Sequence, residues 1–248
     1  MDKDILYQKL FPVDGKQQVW VLIDPDTLPL DQLIDRVCKA ESEGVSAILI
    51  GGSFLSQDNF DNTVMEIKAA CNIPVVIFPG SSRQLSKYAD GILFTSLLSG
   101  RNPQYLIGEQ VMAAPFIVKM GLAAIPTAYL LIESGSATSA QFVSNTQPIP
   151  RTKPQLAVAH AMAAELFGMK AVYLEAGSGA DMAVPASMIR AVVKHINIPV
   201  IAGGGIRNVE DAHAAMEAGA SVIVIGTAVE QNGLDFMHEL LSGINNFS

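Results

Sequence analysis

Short apolar runs rich in Val and Ile alternate with segments of helical period almost to the C-terminus of this 248-residue chain. Each run has the length of a strand, and each following segment has the apolar spacing of a helix that covers a sheet. Repeated in this way, such units build a parallel sheet. The pattern predicts strands at Val19–Ile23, Ala47–Ile50, Val75–Phe78, Gly91–Phe94, Ala128–Ile132, Ala171–Leu174, Val200–Ala202 and Val222–Ile225. Eight strands suit a closed (β/α)8 barrel of the TIM type, for which about 250 residues is an ordinary length. Residues 1–248 are therefore read as one barrel domain, with a doubly wound open sheet as the structural alternative.

The helices carry start and stop signals. Gly44 follows Leu30–Glu43, Gly168 follows Pro154–Phe167, and Asn208 caps a run that ends at Gly219. Two stretches break the rhythm. Between Phe78 and Gly91 there is room for a short turn of helix at most. The other, Glu133–Pro154, is rich in Ser, Thr, Gly, Asn and Pro and reads as a functional lid or a mobile insertion.

Half the residues are hydrophobic and 16% are charged, enough apolar material for a barrel lumen and a strand-to-helix layer around it. No apolar run reaches the roughly 18 to 20 residues that span a bilayer, and Met1–Phe11 has no signal-peptide pattern. A soluble, cytoplasmic protein is expected. The formal charge of −8 argues against nucleic acid, because phosphate-backbone binding needs clustered Lys and Arg. Cys38 and Cys71 have no metal-ligand spacing and read as buried free thiols. His160, His195, His213 and His238 fall in helical segments away from the strand exits and read as surface or packing residues.

Barrel enzymes carry their working groups at the C-terminal ends of the strands. After the seventh strand, Gly203-Gly204-Gly205 strips side chains from a turn, so that backbone N–H groups can approach an anion. Gly226-Thr227 repeats the arrangement after the eighth and adds a hydroxyl. Neither loop has the spacing of a P-loop or of a dinucleotide fingerprint, so a small phosphate ester fits better than a nucleotide.

After the sixth strand, Glu175 stands among small residues where a barrel presents catalytic groups, and it is the candidate general base. The competing reading is a rim carboxylate paired with a cation. After the first strand, Asp24-Pro25-Asp26 could be turn chemistry, with Asp26 capping a helix near Leu28. Alternatively, Asp24 joins Ser53 of Gly51-Gly52-Ser53 in a hard-oxygen site of the kind Mg²⁺ takes. The segment Leu97–Phe116, with Tyr105, is a candidate wall for an apolar groove.

Taken together, Asp24-Pro25-Asp26, Gly51-Gly52-Ser53, Tyr173-Leu174-Glu175-Ala176-Gly177-Ser178-Gly179, Gly203-Gly204-Gly205-Ile206 and Gly226-Thr227 resemble the geranylgeranylglyceryl phosphate synthase family over nearly the whole chain. The resemblance implies a Mg²⁺-dependent prenyltransferase joining sn-glycerol 1-phosphate to a polyprenyl diphosphate, usually geranylgeranyl diphosphate. The product would be 3-O-(geranylgeranyl)-sn-glycerol 1-phosphate, an ether phospholipid precursor that partitions to the membrane, with release of diphosphate.

Carried over by position, Asp24 and Ser53 match the metal site. Tyr173, Leu174, Glu175, Ala176, Gly177, Ser178, Gly179, Gly204, Gly205, Gly226 and Thr227 match the glycerol phosphate site, with Glu175 as base and Asp24 also counted as catalytic. The resemblance further implies a barrel whose third helix is replaced by a short extended segment, in agreement with the cramped stretch before Gly91. Part of the family has Lys two residues before the metal-site Asp, where this chain has Leu22, so the pattern looks like the other branch. A homo-oligomer is expected. Two rival readings stand beside this one: a phosphosugar isomerase or synthase barrel, and a non-catalytic barrel that binds a phosphorylated ligand.

Overall fold

Alternate residues along each strand face two different apolar layers, and this two-sided burial closes the sheet. The structure, a computed structural model, describes residues 2–226 and 237–244. Its strands are β1 (Gln18–Ile23), β2 (Ala47–Ile50), β3 (Val75–Ile77), β4 (Gly91–Leu97), β5 (Ala123–Leu131), β6 (Ala171–Glu175), β7 (Val200–Gly203) and β8 (Val222–Ile225). They pair in parallel in sequence order, and β8 pairs back onto β1 through Val21 and Ile225. Ring closure removes the open-sheet alternative and leaves no unpaired edge.

Trp20, Leu49, Val76, Leu93, Ile125, Tyr173, Ile201 and Val224 point inward and fill the lumen. Their neighbours Val21, Ile48, Ile77, Ile92, Leu174, Ala202 and Ile223 point outward against the helices. These helices are α2 (Leu30–Ser42), α3 (Phe60–Ala70), α4 (Glu109–Met120), α6 (Pro154–Leu166), α7 (Ala186–Val193) and α8 (Val209–Glu217). Asn208 caps α8 by accepting from Asp211 N, as its position in the sequence predicts.

Sequence reasoning passed over α1 (Lys3–Leu10). Asp2 caps it by accepting from the backbone of Asp4 and Ile5. Its Leu6 and Leu10 enter the lumen cluster, and the Tyr7 hydroxyl donates to Lys170 O at 3.0 Å. Because Lys170 and Gly91 stand at strand starts, α1 plugs the end of the barrel opposite the strand exits.

No helix separates β3 from β4, as expected; residues 78–90 form turns, bends and irregular chain. Asp90 ends that segment by accepting Val75 N and pairing with Lys68 Nζ at 2.7 Å. Strand β5 begins at Ala123 rather than Ala128. Pro126 interrupts the strand signal, yet its carbonyl still accepts Lys170 N, which preserves pairing with β6. The stretch after β5 has structure of its own. Ile132 and Ile149 form a bridge across it, and it contains a short helix, α5 (Ser139–Ser144).

Two expectations need correction. Cys38 is exposed, because α2 turns Val37 and Ala40 to the core and leaves Cys38 beside that stripe; Cys71 is buried as expected. His195 lies in the turn after α7 rather than inside a helix. Among the described residues, no helix is long and apolar enough to cross a membrane.

Candidate active site

The two-residue period that packs the lumen also aims the polar residues at its mouth. Trp20 and Leu22 face inward on β1, so Asp24 follows them to the rim; Ala171 and Tyr173 do so on β6, and Glu175 follows. Both carboxylates line one cleft of about 600 Å³ over the strand exits.

The floor of the cleft is aromatic. Phe78 stacks on Tyr173 with ring centroids 4.9 Å apart, and Tyr129 meets both rings edge-on at 5.7 Å. This floor shuts out water from below, and Glu175 is only 5% exposed. Burial pushes its carboxyl up to about 7, against the opposing pull of the Gly177 N–H and the nearby Tyr173 hydroxyl. The N–H of Gly177 donates to Glu175 Oε1 at 2.6 Å. No ion pair among the described residues involves Glu175, so the rim-pair reading receives no support. The Tyr173 hydroxyl is fully buried within electrostatic reach of Glu175 and lacks a partner at hydrogen-bonding geometry among the described residues.

Beside Glu175 lies a surface bare of side chains. Gly204 has φ +75, and a Cβ there would overlap Glu175 Oε1 and stand 2.5 Å from Gly177 N. With Ser178, Gly179, Gly205 and Gly226, it forms the β6, β7 and β8 side of the cleft. Thr227 lies outside the described residues. Leu174 and Ala176 pack into the helix layer, and Gly177 meets Glu175 through its backbone.

Arg207 was not singled out in the sequence, yet it lines this side of the cleft; among the described residues the charged groups lining the rest of the cleft are Asp24, Glu109 and Glu175. Its guanidinium donates to Ala180 O at 2.7 Å, tying the β7 exit to the β6 exit. The only signal for it was its position two residues after the glycine run.

On the opposite side stands Asp24, half-buried, with Ser53 also lining the cleft. Oδ1 of Asp24 accepts Asp26 N at 3.0 Å, an Asx turn, so the turn reading holds in part. Burial raises the Asp24 carboxyl, partly countered by the Asp26 N–H. Asp26 itself caps no helix. It accepts from Ser56 N and Oγ, and α2 starts only at Leu30, with Pro29 before it.

Between these polar ends runs an apolar arm walled by Ile92, Phe94, Leu97, Ala113 and Val143. Tyr105, in a π-helical turn at Gln104–Gly108, and α5 complete the wall. The predicted segment therefore contributes Leu97, Tyr105 and Ala113, whereas Phe116 points outward. The four histidines take no part in the cleft.

Fold and site define a (β/α)8-barrel enzyme with a buried carboxyl, a glycine-rich cradle and an apolar arm. The chain belongs to the PcrB family, which matches residues 15–244. Its relatives place it among prenyltransferases. It is 45% identical over 217 residues to the geranylgeranylglyceryl phosphate synthase of Chitinophaga pinensis, covering 88% of this chain and 86% of that one. It is 38% identical over 238 residues to the synthase of Spirosoma linguale, covering 96% and 95%.

The crystal structure of (S)-3-O-geranylgeranylglyceryl phosphate synthase from Thermoplasma acidophilum, in complex with sn-glycerol-1-phosphate, superposes with a TM-score of 0.90 at 36% identity, covering 98% and 97% of the two chains. Thiamine phosphate pyrophosphorylase from Pyrococcus furiosus, 16% identical with a TM-score of 0.60, shares the fold alone.

Proposed function

We propose that the protein joins sn-glycerol 1-phosphate to a polyprenyl diphosphate, with geranylgeranyl diphosphate as the expected donor. The products are 3-O-(geranylgeranyl)-sn-glycerol 1-phosphate and diphosphate. The observation that carries this reading is the placing of buried Glu175, its carboxyl near 7, in one cleft with both a bare cradle and an apolar arm. A phosphosugar barrel needs the cradle but not the arm, and a non-catalytic binding barrel needs no base tuned near neutrality.

The phosphate of glycerol 1-phosphate lies against Ser178, Gly179, Gly204, Gly205 and the β8 exit, where backbone N–H groups and Arg207 face it. The buried Tyr173 hydroxyl, beside Glu175 and with no partner at hydrogen-bonding geometry among the described residues, is completed by a substrate oxygen. Held so, the C3 hydroxyl lies within reach of Glu175, which takes its proton as the oxygen bonds the allylic carbon and the bond to diphosphate breaks. The aromatic floor keeps water from competing for that carbon.

The oxygen set on the other side suits Mg²⁺. Among the described residues no three His, Cys, Asp or Glu cluster as a closed protein site would need, whereas Mg²⁺ accepts one or two carboxylates and leaves the rest to phosphate oxygens and water. Asp24 and Ser53 would hold it, and it would supply charge stabilisation at the departing diphosphate. The protein works in the cytoplasm and passes its lipid product to the membrane. The exposed apolar side chains Val111, Phe116 and Val118 support assembly as a homo-oligomer.

The reading is tested by incubating the protein with sn-glycerol 1-phosphate, Mg²⁺ and radiolabelled geranylgeranyl diphosphate and extracting the organic phase. Label is expected in a phosphorylated ether lipid. Retained glycerol phosphate binding without labelled lipid would favour a phosphate-binding barrel of another kind.

A further inference from the structure

No helix follows β3, and the segment that takes its place runs against the β2 exit. One side chain joins them. Gln84 is 3% exposed, and its Oε1 accepts from Gly80 N at 3.1 Å and from Gly52 N at 3.3 Å. Its Nε2 donates to Gly52 O at 2.7 Å. One carboxamide therefore satisfies both polar backbone groups of Gly52 and binds it to Gly80.

The two exits are in direct backbone contact around this clamp. A Cβ on Gly80 would overlap Gly52 O and approach Ser53 Cα to 3.0 Å, and a Cβ on Gly52 would stand 2.7 Å from Asp24 Oδ2. The chain of contact thus runs from Gln84 to Gly52, which lies against the Asp24 carboxylate on one side and carries Ser53 next in the chain. The clamp needs an acceptor and a donor on one side chain. An ionised Glu would offer acceptors but no donor for Gly52 O, and Met offers no donor and only a weak acceptor.

We propose that Gln84 is a positioning residue for the diphosphate side of the cleft: it holds Gly52 and Ser53 in register against Asp24, in the place of the missing helix. Gln84 does not line the cleft, so it acts through the loop it holds. The assignment rests on the reading of Asp24 and Ser53 as the Mg²⁺ and diphosphate side. It makes the two substrates respond differently, because the glycerol phosphate cradle is built from the β6, β7 and β8 exits, which Gln84 does not touch.

The test compares Gln84→Met with wild type by calorimetry, without turnover, using magnesium diphosphate in one titration and sn-glycerol 1-phosphate in another. Magnesium diphosphate binding is expected to weaken about 10- to 100-fold, the range seen when an outer-shell partner of a metal site is removed. Glycerol phosphate binding should stay as in wild type. In steady-state assays the KM for prenyl diphosphate should rise while the acid limb of the pH profile stays put.

Gln84→Leu also removes the donor and the acceptor, in a different shape, and should reproduce the pattern. It also serves if Gln84→Met fails to fold. Equal weakening of both ligands, or of neither, in the folded variants would overturn the proposal. Asp24→Asn, titrated alongside, separates the two ideas. If it leaves magnesium diphosphate binding intact, the reading of Asp24 falls; if it alone weakens binding, only the role of Gln84 falls.

Discussion

The backbone N–H of Gly177 donates a 2.6 Å hydrogen bond to Oε1 of Glu175, two residues earlier in the chain. The strand end and its own glycine turn therefore orient the carboxyl before any substrate arrives. The bond favours the ionised form while burial opposes it, and burial is the stronger effect. What results is a carboxyl near 7, poised to accept a proton at neutral pH.

Glu175→Gln keeps the shape of the side chain and its acceptor for Gly177 but cannot take a proton. Turnover is expected to fall about 10²- to 10⁴-fold, the usual cost of losing a general base. Calorimetry should find glycerol phosphate affinity little changed. Near-normal turnover in this variant would remove Glu175 from the role.

The same carboxyl sets a pH dependence. As the proposed base Glu175 must be ionised, so kcat/KM should rise with pH through about 7 and level off above it. A profile flat between pH 5 and 8, measured with the labelled-lipid assay, would place the base elsewhere.

Stability should move the other way. The carboxyl is raised from 4.5 to about 7, so between those values the native state holds a proton that the unfolded chain has released. Raising the pH through that window therefore weakens the fold, by on the order of 3 kcal/mol from this group alone once the window is crossed. Urea unfolding should show Glu175→Gln more stable than wild type at pH 8, with most of the gain gone at pH 4.5. A gain of equal size at both would mean that burial of charge is not its cause.

Gly204→Ala tests the cradle. The new methyl would overlap Glu175 Oε1 at a backbone with φ +75, and an L residue there costs about 1–3 kcal/mol. Glycerol phosphate binding should be lost in titration. Gly168 is the control, with φ +78 and nothing within 4 Å of its added Cβ; Gly168→Ala should lose stability alone.

Asp24→Asn tests the opposite side. A neutral amide is a poorer ligand for a hard cation, so the Mg²⁺ concentration for half-maximal activity should rise sharply and turnover collapse. Unchanged Mg²⁺ dependence would sink the assignment.

Local features were legible without the tertiary structure wherever one stretch of chain decides them. The alternating runs placed eight strands, Asn208 marked the start of α8, and the glycine clusters marked the β6, β7 and β8 exits. The missing helix after β3 could be read because the chain between Phe78 and Gly91 leaves little length for one once its turns are made. Family motifs brought Asp24, Ser53 and Glu175 forward, and all three line one cleft.

What escaped depends on partners distant in sequence. The lumen plug formed by α1 is invisible until Leu6 meets the strand starts, and the exposure of Cys38 follows from which stripe of α2 the barrel covers. The tie from Arg207 to Ala180 and the clamp of Gln84 on Gly52 join loops that only the closed ring brings together. The carboxyl of Glu175 belongs to the same class. Sequence alone determined which residue stands at the end of β6 and that the residues after it are small. Only the folded barrel, by stacking Phe78 under Tyr173 and shutting water out, decided that this carboxyl titrates near 7.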